Sequence, residues 1–554
     1  MIHLFLLGVY MEWTQVYDPL NNLWLSALVA FLPIALFFIS LVIFKTKGHT
    51  AGFLTVVLAA IIAVFVYGMP FDKMFFSFIY GAIYGIWPIA WIIVAAIFLY
   101  KLTVKSGYFD ILRESIIAIT PDQRLQVILI GFCFGAFLEG AIGFGGPVAI
   151  TAALLVGMGL KPLYAAGLCL IANTAPVAFG AVGIPIIAMA GVVGVPAIEI
   201  SSVAGHMLPP LSLFVPFFLV FLMDGFKGIK ETWPALFVAG FSFAVVQYLT
   251  ATYLGPELPD IASAVVSIAA TTIFLKFWKP KNTFKFDSEV GGKQTLEAKQ
   301  YSISQITLAW LPFVILIVMI IIWTQGWFKE ALAFTTLKFN FENLQGLFQT
   351  PPASSEVKAV NSVFTLPLIL NAGTSIFITA LITMALLRVK ISTAITTFGE
   401  TLNEMKFALL TISLVVGFAY ISNYSGLSAT LALALAETGD AFAFFSPIVG
   451  WLGVFLTGSD TSSNLLFGTL QQLTARQLDI PEVLFLAANS VGGVVGKMIS
   501  PQSIAIACAA VGLVGKESDL FRFTVKYSII FVIGIGIFTY ALAFIFPDAI
   551  PMSR

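Results

Sequence analysis

Apolar runs recur along nearly the whole chain, at 23–44, 52–68, 75–100, 125–138, 163–194, 207–223, 234–254, 258–278, 305–323, 366–387, 407–423, 441–457, 483–510 and 523–546. A helix crosses a bilayer core with about 20 such residues, and most of these runs approach or exceed that length. They do not alternate: Trp91 to Leu99 is apolar throughout, whereas a barrel strand alternates over about ten residues. The pattern predicts an all-α polytopic membrane protein with about 12–14 transmembrane helices.

The interruptions carry a second pattern. Gly135-Ala136-Phe137-Leu138-Glu139-Gly140 returns 318 positions on as Gly453-Val454-Phe455-Leu456-Thr457-Gly458. Asn173 and Pro185 stand twelve apart with Gly180 between them; Asn489 and Pro501 repeat that spacing around Gly496. Ser106-Gly107 answers to Ser425-Gly426 in nearly the same register. A duplicated half-molecule follows. It divides the chain into N-terminal scaffold helices (1–80), a first copy with hairpin and broken helix (81–200), further scaffold helices (201–400) carrying loops 279–304 and 324–365, a second copy (401–515) and a C-terminal helix (516–554).

Charge orients the copies. Lys45 and Lys47 follow the first run, Lys101, Lys105 and Arg113 follow the third, and six lysines lie between 276 and 299, so these connections belong to the cytoplasmic side. Residues 1–22 hold no Lys or Arg, and 324–365 balances three Lys against three Glu. Both are expected outside, as is the C-terminus. The span ending at Tyr100 then runs inward, and its counterpart at 407–423, which follows Arg388, Lys390 and Lys406, runs outward. Opposed copies are the inverted repeats of secondary transporters, whose discontinuous helices and re-entrant hairpins build a site near the midplane.

Inside each copy the polar residues cluster where helices are costly. Glu139 to Pro147 holds four glycines and a proline, at about 1 and 3 kcal/mol each relative to Ala, and reads as a re-entrant tip. Gly458-Ser459-Asp460-Thr461-Ser462-Ser463-Asn464 is its match, with hydroxyls and an amide in place of glycines. Second breaks are expected at Asn173-Thr174-Ala175-Pro176 and Asn489-Ser490-Val491-Gly492-Gly493, each opening a half-helix whose N-terminus suits a carboxylate. Candidate substrate ligands are Asn173, Thr174, Ser462, Ser463, Asn489, Ser490 and Lys497. Glu139 and Asp460, ionisable inside apolar sequence and so functional by default, are candidates for proton coupling, with hairpin capping as their structural alternative. Lys497 offers charge to a substrate or a salt bridge to one of those acids.

Other residues have plainer readings. Cys133, Cys169 and Cys508 lack paired spacing and read as small core side chains. His206 sits at a helix boundary, and the aromatic run Tyr80, Tyr84, Trp87, Trp91 reads as a packing face. Met1 to Tyr10 lacks the basic start and cleavage site of a signal peptide, and Met11 is an alternative start. With 28 basic and 28 acidic residues, the chain has no charge bias toward nucleic acid. No phosphate-binding Gly-x-x-x-x-Gly-Lys loop is present, and His3, His49 and His206 form no catalytic or metal-ligand set, so neither an ATP motor nor an embedded enzyme is indicated. A channel is the third class, disfavoured by the paired breaks.

In Tyr84 to Trp91, Gly131 to Leu155, Lys161 to Pro185, Ile421 to Leu435, Leu452 to Asn464 and Gly496 to Lys526 the chain resembles the L-lactate permease family of bacterial inner-membrane transporters, glycolate permease included. The resemblance implies proton symport of L-lactate and related 2-hydroxy monocarboxylates (D-lactate, glycolate), no cofactor beyond the proton as coupling ion, and an inner-membrane location with both termini periplasmic. The alternative is a sodium-coupled or dicarboxylate carrier of the same broad superfamily.

Overall fold

The computed structural model describes residues 12–551 except 144, 286–300, 352–353 and 355. The expectations on the first ten residues, Met11, His3 and the loop charges from 287 to 299 lie outside the described residues, as does Phe144 in the first hairpin tip. Among the described residues, eleven helices are long and apolar enough to cross a membrane, and Pro162–Ala172 with Val177–Val193, bent by 64°, forms a broken span or a re-entrant loop. The protein is a multi-pass, all-α membrane protein.

One apparent helix is two crossings. Ala197–Tyr253 runs 57 residues, but Gly225 at its centre has φ 61° and ψ −155°, a conformation that glycine reaches and most residues do not. Ser201 Oγ donates to the Ala251 carbonyl at 2.8 Å and Ser212 Oγ to Gln247 Oε1 at 2.6 Å. One index rises as the other falls, so the arms lie antiparallel. This matches the separate runs expected at 207–223 and 234–254.

Contacts at the two ends define the faces. Trp13–Thr14 pairs in parallel with Leu347–Phe348, Lys73 Nζ donates to the Gln345 carbonyl at 2.6 Å, and Gln15 Nε2 donates to the Asn423 carbonyl at 2.8 Å. The N-terminal strand and the 324–365 loop therefore share one side. On the other side Lys101 meets Glu404 at 2.6 Å and Lys105 meets Glu400 at 3.2 Å. The span Phe71–Lys105 thus runs from the strand face to the lysine face, and Ile391–Ser425 runs back. Helix Tyr108–Ile117, ten residues and about 15 Å long, is too short to cross, so Arg124 stays on the lysine face. There its guanidinium holds Asp122, Asp224 and Glu231 at 2.8–2.9 Å. Lys101, Lys105 and Arg124 thus share one face.

The 324–365 loop is built rather than open. Thr336–Asn340 pairs antiparallel with Val363–Pro367, and Leu347–Gln349 with Lys358–Ala359. This small cap receives the hydroxyls of Tyr80 and Tyr424 on the carbonyls of Val363 and Asn361. The aromatic run does pack as a face, with Trp87 stacked on Trp91 at 5.4 Å.

Candidate functional site

The first hairpin joins Gly135–Ala141 to Gly146–Gly157, turning at Gly143 and Gly145 with φ of 60° and 80°. The second joins Phe442–Thr457 to Asp460–Gln477 through Gly458, φ 72°, and Ser459, whose hydroxyl accepts from the Ser462 N–H. Its arms are held by Ser463 Oγ on the Gly450 carbonyl at 3.1 Å and Gln471 Nε2 on the Ser446 carbonyl at 2.9 Å. Both tips fall where the sequence placed them.

Of the second breaks, the one in the first copy falls where the sequence placed it and the one in the second copy does not. In the first copy the helix stops at Asn173, and Ala181, Val182 and Gly183 take positive φ before it resumes near Pro185. In the second copy no break occurs at Asn489: Glu482–Gly496 is continuous, a turn Lys497–Ile499 follows, and the new helix starts at Pro501 with Ser500 as its cap. The expectation of a half-helix opening at Asn489 is corrected, and the cause is packing. A Cβ at Gly492 would overlap the Pro447 carbonyl, and one at Gly450 would overlap the Asn489 carbonyl. These glycines let two backbones touch, as small residues do between membrane helices. The first copy has Pro176 instead, which lacks an N–H and cannot continue a helix cheaply.

These elements converge. Lys497 Nζ of the second copy lies 2.6 Å from Glu139 Oε1 of the first, with side-chain exposures of 8% and 3%. Asn173 Nδ2 donates to Glu139 Oε2 at 3.2 Å. Ser490 Oγ donates to Asp460 Oδ2 at 2.5 Å. Asn464 Nδ2 donates to both Ser490 Oγ, at 3.2 Å, and the Pro185 carbonyl of the other copy, at 3.1 Å. Between the two groups lies a small cavity of about 60 Å³, lined by Glu139, Asp460, Lys497, Thr461 and Gln502 among others.

Glu139, Asp460 and Lys497 therefore line one cavity, with Asn173 and Ser490 bonded directly to the acids. Asn489 is one step back: it donates to Asn464 Oδ1 at 2.9 Å and accepts from Gln471 at 3.1 Å. Three residues are not brought to the cavity. Thr174 Oγ1 donates to the Ile171 carbonyl, Ser463 serves the hairpin arms, and Ser462 is not among the lining residues. Ser459, Thr461 and Gln502 line it instead; the first two stood in the quoted hairpin tip but were passed over for their neighbours.

A third acid went unread. Asp260 is 1% exposed, in the first turn of Pro259–Phe277, with its Cβ 2.6 Å from where a Cβ of Gly140 would lie. Glu139 and Lys497 are the charges acting on it, yet neither of its oxygens has a hydrogen-bond partner among the described residues. The sequence signal was faint, because an acid just after Pro259 reads as an ordinary helix start.

A family model described as L-lactate permease matches residues 26–546. The chain belongs to the L-lactate permease family. It is 55% identical over 554 residues to Glycolate permease GlcA of Escherichia coli (strain K12), covering 96% of this chain and 98% of that one. To L-lactate permease of Salmonella typhimurium it is 54% identical over 549 residues, covering 97% and 100%. Among solved structures, Neisseria gonorrhoeae MtrF, from a class of antimetabolite efflux pumps, aligns with a TM-score of 0.45 at 14% identity over 85% of this chain and 83% of that one. Membership of a permease family makes the protein a transporter and not an enzyme.

Proposed function

We propose that this protein imports L-lactate and related 2-hydroxy monocarboxylates, D-lactate and glycolate among them, by proton symport across the bacterial plasma membrane. The observation that carries the reading is the buried Lys497–Glu139 pair joining the two copies beside the cavity. One cation suits one carboxylate. The solute's anion competes with Glu139 for Lys497, while hydroxyl and amide groups at Ser490, Asn173, Asn489 and the hairpin hydroxyls of Ser459 and Thr461 orient it or support those that do. Thr174, Ser462 and Ser463 act on the shape of the hairpin and break rather than on the solute. Glu139 and Asp460 belong to the coupling machinery, Glu139 through its hold on Lys497 and Asp460 at the cavity wall.

Coupling follows from charge. Moving one negative charge against an inside-negative potential costs about 2.3 kcal/mol per 100 mV. A proton carried with the anion cancels that cost and lets the pH gradient drive accumulation. The two opposed spans, Phe71–Lys105 and Ile391–Ser425, support an inverted-repeat carrier of this kind.

Uptake of labelled L-lactate into proteoliposomes, with an imposed pH gradient, tests the proposal, using glycolate, D-lactate and a dicarboxylate as competitors and choline in place of sodium. Uptake that follows the pH gradient and yields to the monocarboxylates upholds it. Dependence on sodium, or preference for the dicarboxylate, replaces it with the alternative carrier.

A further inference from the structure

Three acids, Glu139, Asp260 and Asp460, surround one buried cation, Lys497, and they are not equivalent. Both Glu139 oxygens have partners, one in Lys497 and one in Asn173. Asp460 takes a hydrogen bond from Ser490 on one oxygen and lines the cavity. Asp260 has neither. Among the described residues both its oxygens are without a donor, it is 1% exposed, and it does not line the cavity. Ser263 Oγ, one turn further on, is also buried and unpartnered among the described residues.

A buried carboxylate without a donor or a cation is costly. At Glu139 a proton would displace Lys497, and at Asp460, whose Oδ1 has no partner among the described residues, it would sit on the wall of the cavity itself. At Asp260 a proton displaces nothing. A group that cannot touch the solute but lies beside the pair that binds it is placed to hold a proton and sense whether Lys497 is committed.

We propose that Asp260, contributed from outside both repeated segments, holds the co-transported proton. The inference rests on the symport reading above. The charges close: an anion that arrives with a proton on Asp260 leaves the net charge of the cluster unchanged, and both leave together on the other side. The O–H bond of Asp260 is the only one made and broken, with water on either side as the proton's source and sink. The charges acting on Asp260 are Glu139 from the first hairpin and Lys497 from the turn of the second copy. Ala197–Tyr253, the helix packed most extensively against this one, carries Glu199, His206, Tyr248 and Tyr253 toward its ends, with His206 on the Ser202 carbonyl and edge-on to Tyr248, and Asp224, Lys227, Lys230 and Glu231 at its central turn, where Asp224 and Glu231 pair with Arg124; Glu257 precedes Asp260 by three residues. The helices Gly180–Val193 and Ile303–Thr324 bring no titratable side chain, and Cys133 of Val127–Phe134 bonds Ser267, lower on the same helix.

The test compares wild type, Asp260→Asn and Asp260→Glu in proteoliposomes by two readouts: counterflow of labelled L-lactate without a gradient, and accumulation driven by a pH gradient across a series of external pH values. Asp260→Asn is expected to keep counterflow near the wild-type rate, to lose accumulation by about 5–150-fold, the usual range of a coupling free energy, and to show a flat pH profile. Asp260→Glu is expected to restore both gradient-driven accumulation and the profile. Accumulation and pH profile unchanged in Asp260→Asn overturns the proposal; so does loss of counterflow in both variants, which makes the residue structural. A wild-type protein that ignores the pH gradient, or follows sodium, sinks the symport reading itself and is told apart by needing no variant.

Discussion

Replacing Lys497 with Met strands Glu139 in an apolar setting. The pair is 2.6 Å long with exposures of 8% and 3%, and removing one partner of such a buried pair costs about 3–5 kcal/mol, because the remaining charge has lost its compensation. Asn173 still donates to Glu139 at 3.2 Å, and a hydrogen bond to a charged group contributes about 1.5–3 kcal/mol. That donor was already present, so it does not offset the loss and the penalty should fall in the full range. Removing the leftover charge as well, in Glu139→Gln with Lys497→Met, leaves two neutral groups of similar volume, and such replacements are commonly neutral or mildly stabilising. The free energies of unfolding of the wild type, both single variants and the double variant, measured by titrating detergent-solubilised protein with SDS, close a double-mutant cycle. The double variant should recover most of the stability lost in Lys497→Met, a coupling of roughly 3 kcal/mol, while binding no lactate. Additive losses, with the double variant worse than either single one, would refute the claim that the two copies are joined by this pair.

Glu139→Gln alone removes the carboxylate with which lactate competes for Lys497. Binding of lactate should tighten while turnover falls, read as a lower KM together with a lower kcat for uptake. An unchanged KM contradicts the competition. Gly492→Val drives a side chain into the Pro447 carbonyl; overpacking usually costs about 1–3 kcal/mol, and because backbone cannot swing aside the loss should reach the top of that range, seen as poor yield of folded protein by size-exclusion chromatography. Arg124→Gln deprives three carboxylates of their shared cation, but Asp224 and Glu231 are 16% and 19% exposed, so water blunts the penalty toward the lower end of about 3–5 kcal/mol, measurable as a fall in thermal midpoint without change in KM.

The fold was readable because membrane spans are written in long apolar runs and their direction in lysines such as Lys101 and Lys105. The site was readable to the extent that charge is rare in such runs: Glu139, Asp460 and Lys497 stood out for that reason alone. Composition failed where one residue type has two uses. Gly492 and Gly493 looked like helix breakers and are close-approach positions, so the second copy breaks at Ser500 instead. Thr174 and Ser463 satisfy neighbouring carbonyls, a role their identity does not distinguish from ligand binding. Asp260 was missed because an acid in a first helical turn is commonplace, and only the three-dimensional approach of Pro259–Phe277 to Gly140 places it beside Glu139.

The central claim, that one shared cavity moves a 2-hydroxy acid together with a proton, is tested most directly by purified protein in proteoliposomes given labelled L-lactate from outside under separately imposed pH and electrical gradients. Accumulation driven by an alkaline interior, abolished by a protonophore and left unchanged by an inside-negative potential applied alone, is the result the account predicts. Lactate movement that tracks the electrical potential, or proceeds equally with the pH gradient collapsed, would contradict it.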